Sequence, residues 1–186
     1  MRKLRMHPLN NIDRLVYPED FQDPTGKSPA LSVCTDFKHI RPLIIDSHTR
    51  AIEVEELMRK AHVKLKIVVN KDKELIGVIS TRELSTQNIL KRVSQGERRE
   101  EIRVTDLMKH RAQLSSLDIS DLEHATVSDV IFTLKENGEQ HCLVIDKKAH
   151  HIRGIISASD IARRLHIPLV IEKAPTFVDL FKATMV

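Results

Sequence analysis

At 186 residues, the chain is long enough for one substantial domain or for a pair of small half-domains that share a core. Apolar residues make up 41% and charged residues 30%, and no apolar run approaches the roughly 20 residues that a membrane helix needs. The net charge of +4 favours anionic partners, but an aromatic content of 3% offers single-stranded nucleic acid few side chains for stacking. Two cysteines make no disulfide framework, so we expect a cytoplasmic protein with no membrane partner.

The first half of the chain predicts one α/β unit behind an irregular arm. Residues 1–30 carry four prolines and few periodic apolar positions, and we expect this arm to pack through Leu15, Val16, Tyr17 and Phe21. Beyond it, the patterns predict a strand at 43–45, a helix at 51–61, two strands at 66–70 and 75–80, and a helix from 81 to 93. Both longer strands are apolar nearly throughout, which is typical of burial on both faces.

The same order of elements returns in the second half. A charged connector around Gly96 leads to a lead-in segment at 104–108, a weak strand at 114–117, a helix at 127–136, strands at 141–146 and 152–157, and a helix at 158–165. The tail holds an apolar run at 169–171 and a helix at 176–185. The broad apolar face of that helix either packs on the body of the protein or forms a dimer contact.

Individual residues of the two units also correspond. Segments 67–70 and 75–84 match segments 143–146 and 152–161, so Gly77 and Gly154 occupy the same place. The lead-ins share a Thr-Asp pair, at 35–36 and at 105–106. A glycine inside a strand lets a ligand or a neighbouring backbone approach closely. The duplication indicates two half-modules that share a core and bind ligands in the groove between them.

The second copy ends in Ser157, Ser159 and Asp160, where a strand should give way to a helix. Unpaired N–H groups at such a junction favour a phosphate, and serine hydroxyls can donate to its oxygens. A carboxylate there can accept hydrogen bonds from both ribose hydroxyls. The same residues also fit an ordinary helix N-cap with an acid in the first turn, and the local sequence alone favours that alternative.

An apolar strand with Gly, two β-branched residues, Ser and then an acid before a helix resembles the CBS domain family, and two such units in tandem resemble a CBS pair, or Bateman module. The resemblance covers about residues 31–165. It implies an α/β fold of two β-α-β-β-α halves related by a pseudo-twofold axis, plus the N-terminal arm and a C-terminal helix. The expected divisions are the arm at 1–30, CBS domain 1 at 31–94, a connector at 95–102, CBS domain 2 at 103–166 and a tail at 167–186.

Because each cleft of a CBS pair draws on both repeats, the resemblance implies two candidate sites. The better site would consist of Ser157, Ser159, Asp160, Thr49, Val63 and Lys64. The weaker site would consist of Ser80, Arg82, Glu83, Thr126 and Gln140. In the weaker site Glu83 is one methylene longer than the family's Asp, Ala125 replaces the equivalent of Thr49, and Glu139 adds negative charge. We therefore expect one good site and one degenerate or differently selective site.

The function that the resemblance implies is a non-enzymatic regulatory or sensor module that binds AMP, ADP, ATP or a related adenosyl ligand. It also implies a homodimer and a separate effector protein. The sequence has no Walker A loop, no nucleophile elbow and no ligands with zinc spacing, so we expect no catalytic residues, no metal and no required cofactor. Two alternatives stay open: a ligand-free structural or dimerisation scaffold, and a less favoured nucleic-acid binder that would use Lys91, Arg92, Arg98, Arg99 and Arg111.

Overall fold

The computed structural model of the protein describes residue 8, residues 14–15 and residues 24–167. The strands are β1 (Cys34–Asp36), β2 (Ile44–Asp46), β3 (Leu65–Val69), β4 (Leu75–Ser80), β5 (Lys109–His110), β6 (Ser116–Asp118), β7 (His141–Asp146) and β8 (His151–Ser157). The α-helices are α1 (Ala51–Lys60), α2 (Thr86–Ser94), α3 (Val104–Leu107), α4 (Ile119–Leu122), α5 (Val127–Glu136) and α6 (Ala158–Arg164). The predicted contacts of Val16, Tyr17 and Phe21, and the predicted elements at 169–171 and 176–185, lie outside the described residues.

The strands form two four-stranded sheets of the same design within this part of the chain. One sheet has the order β2-β3-β4-β5 and the other has the order β1-β8-β7-β6. In each, a short strand runs parallel to the first of two long antiparallel strands: β2 beside β3, and β6 beside β7. The predicted mixed α/β fold of two repeated halves is therefore confirmed.

Each half lends its lead-in strand to the sheet of the other half. Strand β1 precedes the first repeat but pairs with β8, and β5 precedes the second repeat but pairs with β4. The two glycines make this exchange possible, because a Cβ on Gly154 would lie 2.6 Å from the carbonyl oxygen of Thr35 and one on Gly77 would lie 2.6 Å from that of Lys109. The sequence predicts that a ligand or a neighbouring backbone approaches these glycines closely, and the structure shows a neighbouring backbone there.

The exchange also corrects the predicted match between the two lead-ins. Asp36 pairs with Gly154, and His110 pairs with Gly77, so Asp36 is equivalent to His110. Thr35 is then equivalent to Lys109. The shared Thr-Asp letters predict instead that Thr35 is equivalent to Thr105, and that prediction is wrong. The Thr-Asp pair of the second lead-in lies in α3, where Asp106 accepts a hydrogen bond from the backbone of Arg103.

The two halves pack against each other through their sheets. Each half has its own core between sheet and helices, around Val54, Met58 and Ile79 in the first and around Leu134 and Ile156 in the second. A third buried cluster joins the two sheets and consists of Ile67, Val69, Leu75, Val78 and Leu143. The long strands are therefore covered on both faces, which explains their unbroken apolar sequence.

The two repeats differ at the end of their last strand. Helix α6 begins directly after β8, but α2 begins at Thr86, five residues later than the predicted start at residue 81. Residues 81–84 form turns instead. The side chain of Glu83 folds back to accept the backbone N–H of Ser80 at 3.0 Å, and Asn88 donates to the carbonyls of Arg82 and Glu83. These local hydrogen bonds satisfy the chain in a non-helical conformation.

Candidate functional site

A cavity of about 520 Å³ lies between the lead-in of the first repeat and the end of β8. We call it the open cleft. It is lined by Thr35, Phe37, Ile40, Arg41, Pro42, Leu43, His62, Val63, Lys64, Leu65, Ile67, His141, Ile155, Ser157, Ser159, Asp160 and Arg163. Five of the six residues predicted for the better site line it, namely Val63, Lys64, Ser157, Ser159 and Asp160. The sixth, Thr49, is not among the lining residues.

The hydroxyls at the end of β8 are not used for helix capping. Ser157 stands at the N-cap position of α6, yet its side chain makes no capping hydrogen bond. Its Oγ lies 2.9 Å from the Oγ of Ser159, within the wall of the cleft. The carboxylate of Asp160 accepts a hydrogen bond of 2.9 Å from Arg163 and makes no bond to the N-cap backbone. The capping alternative therefore does not account for this motif.

One wall of the open cleft is apolar and comes from the lead-in of the first repeat. Phe37, Ile40, Pro42 and Leu43 contribute to it, and Ile40 and Leu43 are 56% and 50% exposed. Exposed apolar side chains that face a cavity are suited to the flat face of an organic ring. Local sequence patterns do not predict this wall, because these residues lie in an irregular segment whose position depends on β1 pairing with the other sheet.

The open cleft carries more positive than negative charge among its lining side chains. The cationic side chains of Arg41, Lys64 and Arg163 line it, together with the single carboxylate of Asp160. His141 also lines the cleft, and burial lowers its pKa, although Glu83 and Asp160 oppose that effect. Arg41, Arg163 and His141 were not among the predicted site residues.

Thr49 lies in the loop between β2 and α1, away from the open cleft. Its backbone N–H donates to Asp46 at 3.1 Å, and its carbonyl accepts the N–H of Val104 at 2.9 Å. The backbone of Thr49 therefore joins the start of the first repeat to α3. Its side chain is half-buried.

The mirror cleft, whose lining shares Leu65, His141 and Ile155 with that of the open cleft, is nearly filled. Its cavity measures only about 50 Å³ and is lined in part by the predicted residues Ser80, Arg82, Glu83 and Gln140. An ion pair between Lys109 and Glu139, with 2.5 Å between Nζ and Oε1, lies in it. These two residues occupy the positions that Thr35 and Val63 hold in the open cleft. Larger, paired side chains thus replace smaller ones.

The remaining groups of the mirror cleft are engaged locally. The Ser80 hydroxyl donates to Glu83 and accepts the backbone N–H of Arg82 at 3.1 Å. Thr126, predicted as a substitute for Thr49, does not line the cleft. It caps α5 instead, with its hydroxyl 2.6 Å from the carboxylate of Asp129 and its Oγ accepting the N–H of that residue.

The two repeated halves agree with comparison to known proteins. The CBS domain model matches residues 34–87 and 118–167. The chain belongs to the CBS domain family. Its two matches form a tandem CBS pair, as the sequence predicts. Among curated proteins, none matches the chain.

Several solved structures share the fold of this CBS pair. An uncharacterized conserved protein from Pyrococcus horikoshii matches with a TM-score of 0.55 at 20% identity, over 78% of this chain and 98% of that one. The CBS domain pair of MJ0100, in complex with 5′-methylthioadenosine and S-adenosylmethionine, matches with a TM-score of 0.51 at 15% identity, over 73% and 94%. CBSX2, in complex with AMP, matches with a TM-score of 0.50 at 18% identity, over 73% and 94%. At these identities the likeness establishes the fold.

The described residues of this CBS pair were also compared with three other kinds of feature: a metal site, a reactive thiol and a membrane helix. The described residues contain no group of three or more His, Cys, Asp or Glu side chains placed to hold a metal ion. Burial raises the pKa of both thiols, Cys34 and Cys142, to about 11, so they are protonated at neutral pH. In the part that the structure describes, no helix is long and apolar enough to cross a membrane.

The basic residues considered for nucleic acid are partly engaged within the CBS pair. Arg92 pairs with Glu97 at 2.9 Å, Arg98 pairs with Glu101, and Arg111 donates to the carbonyl of Leu75 at 3.4 Å. No observation among the described residues raises this alternative above the others.

Proposed function

We propose that this CBS pair is a non-enzymatic regulatory module that binds an adenine nucleotide, or a related adenosyl ligand, in the open cleft. The observation that carries the proposal is that hydroxyls and a carboxylate which do not cap α6 face a cavity of about 520 Å³. This volume falls within the range of about 300–1,000 Å³ found for small-molecule sites. CBS pairs are typically regulatory modules, and two proteins of the same fold were solved with AMP or with methylthioadenosine and S-adenosylmethionine.

Each part of an adenine nucleotide finds a matching surface in this cleft. The base packs against the apolar wall of Ile40 and Leu43, whose side chains are exposed and line the cavity. The ribose hydroxyls donate to the carboxylate of Asp160, which is an acceptor when ionised. The hydroxyls of Ser157 and Ser159 are hydrogen-bond donors for a phosphate or for the ribose. An apolar wall with a few convergent polar groups is the usual composition of a ligand site.

The regulatory output follows from how the open cleft is assembled. Its walls come from the lead-in that carries β1 and from the end of β8 and start of α6, so a ligand contacts both repeats. A ligand that binds one arrangement of these walls better than another shifts the population toward it. We propose that a homodimer, in the cytoplasm, presents this change to a separate effector protein.

Thermal unfolding with a panel of AMP, ADP, ATP, methylthioadenosine and S-adenosylmethionine tests the proposal. At a ligand concentration of about 100 times Kd, binding stabilises the folded state by about 2.7 kcal/mol. For a chain of this size that raises Tm by about 5–10 °C. The Asp160→Ala variant should lose about half of the shift or more at the same ligand concentration. A panel in which no compound raises Tm would contradict the proposal and favour the ligand-free scaffold.

A further inference from the structure

The charge of the open cleft differs from that of the mirror cleft. Three cations, Arg41, Lys64 and Arg163, line the open cleft with one carboxylate, Asp160. The mirror cleft instead has two cations, Arg82 and Lys109, and two carboxylates, Glu83 and Glu139. An excess of positive charge is therefore a property of the open cleft and not of the duplicated scaffold. Positively lined clefts raise the local concentration of anions.

The difference in charge between the two clefts is also seen at one pair of equivalent residues, Lys64 and Gln140. The carbonyl of Lys64 accepts the N–H of Thr81, and the carbonyl of Gln140 accepts the N–H of Ala158, so the two residues are equivalent. The open cleft thus has an ammonium where the mirror cleft has a neutral amide. A lysine stem can lie along the apolar part of a ligand while the ammonium reaches a charged group.

Arg163 connects the recognition of ribose to the recognition of charge. Its guanidinium donates to Asp160 at 2.9 Å. A ribose that donates to Asp160 shares this carboxylate with Arg163, whose other guanidinium N–H groups can donate to a further acceptor. A 5′-phosphate supplies that acceptor, and guanidinium–phosphate pairs are among the stronger hydrogen bonds in proteins. A sulfonium would instead bring a second positive charge to the same place.

Resting on the proposed function, we propose that the open cleft selects 5′-phosphorylated adenosine ligands over adenosyl ligands that are uncharged or cationic at the 5′ end. The phosphate is bound by Arg41, Lys64 and Arg163. The nucleoside, which all adenosyl ligands share, is bound by Asp160 and the apolar wall. Selectivity then depends on charge, so AMP binding weakens as salt rises and adenosine binding does not.

Calorimetric titration of the full chain with AMP, adenosine, methylthioadenosine and S-adenosylmethionine measures this selectivity. We expect AMP to bind at least about tenfold more tightly than each of the other three, since one charge-assisted hydrogen bond corresponds to about that factor. In the double variant Arg41→Gln/Arg163→Gln, the Kd for AMP should rise about tenfold or more. The Kd for adenosine should stay within about twofold of wild type.

Lys148→Gln is the matched control, because Lys148 is exposed in the turn between β7 and β8 and does not line the cleft. It removes one positive charge and should leave the AMP-to-adenosine ratio unchanged. Methylthioadenosine or S-adenosylmethionine binding as tightly as AMP would overturn the inference and leave the proposed function standing. Equal losses of AMP and adenosine affinity in the double variant would also overturn it. Binding of none of the four compounds would overturn the inference, and failure of ADP and ATP as well would overturn the proposed function.

Discussion

The open cleft and the mirror cleft are built on the same duplicated scaffold, yet their cavities measure about 520 Å³ and about 50 Å³. The strands, the exchanged lead-ins and the two glycines are repeated closely. The residues that face the clefts are not. Where the open cleft has Thr35 and Val63, the mirror cleft has the ion pair of Lys109 and Glu139. The two halves therefore share a backbone design, while the residues that line their clefts differ.

The serine and acid of the motif illustrate the difference most clearly. Ser80 and Glu83 bond to each other and to the local backbone, whereas Ser157 and Asp160 make no such bond. The extra methylene of glutamate lets its carboxylate fold back to the N–H of Ser80. That acceptor is then lost to a ligand, and the following residues form turns in place of the first part of a helix.

Removing the acid should have the largest effect, and only in one cleft. For Asp160→Ala we expect the nucleotide Kd to rise by about 10- to 100-fold, because hydrogen bonds to a charged acceptor are lost. Glu83→Ala is the matched variant in the other repeat and should change the Kd by less than about twofold. Calorimetric titration of both proteins measures this difference. Similar losses in both variants would mean that the mirror cleft also binds.

Adding a methyl group at the strand exchange should separate stability from binding. Gly77→Ala and Gly154→Ala each place a Cβ at 2.6 Å from a backbone carbonyl, so each should destabilise the fold by about 1–3 kcal/mol. Only Gly154→Ala should also weaken nucleotide binding, because Thr35 and Ile155 line the open cleft. Urea unfolding and titration of the two variants give both quantities. Equal affinities in the two variants would contradict this assignment.

Replacing the ion pair of the mirror cleft should create a second binding site. In the double variant Lys109→Thr/Glu139→Val, which copies the open cleft, we expect a second binding step that is at least about tenfold weaker than the first. It stays weaker because Glu83 remains bonded to Ser80. Lys109→Thr alone, which leaves Glu139 without its partner, should add no second step. A double variant whose stoichiometry equals that of wild type would show that the pair does not close the cleft.

The smallest effect concerns pH and the strand that supports the open cleft. Arg153 donates two hydrogen bonds of 2.7 Å to Asp36 and holds its pKa well below the usual range, thereby joining β8 to β1. The folded pKa is below the unfolded one, so this contribution is fully present above about pH 4 and is lost as pH falls toward the folded value. Wild type should therefore lose Tm more steeply below about pH 4 than Asp36→Asn. If Tm fell with pH at the same rate in both proteins, the proposed contribution of the Asp36–Arg153 pair would be contradicted.

The sequence predicted the repeated scaffold well because strand burial and helix periodicity are local patterns. The bounds of α1 and of the paired long strands differ from prediction by about one residue or less. Two features depend on distant contacts and could not be read locally. The start of α2 depends on whether Glu83 folds back, and the apolar wall around Ile40 depends on β1 pairing with the other repeat.

The prediction of one good and one degenerate site depends on the residue types at a few equivalent positions of the two repeats. Its residues Val63, Lys64, Ser157, Ser159 and Asp160 come together in one cavity, whereas Thr49 and Thr126 do not enter either cleft. Their absence has a physical reason, since one is part of a backbone junction and the other caps a helix. The role of Lys109 cannot be read from the shared Thr-Asp letters, because strand pairing makes Lys109 equivalent to Thr35.

The number of nucleotides bound per chain tests the difference between the two clefts most directly. Calorimetric titration of the wild-type chain with AMP, and with ATP as a second probe, gives this number together with the affinity. We expect one nucleotide per chain, with the Kd raised by about tenfold or more in Asp160→Ala and kept in Glu83→Ala. Two nucleotides per chain of similar affinity, or a single site whose Kd does not change in Asp160→Ala, would contradict the difference between the clefts.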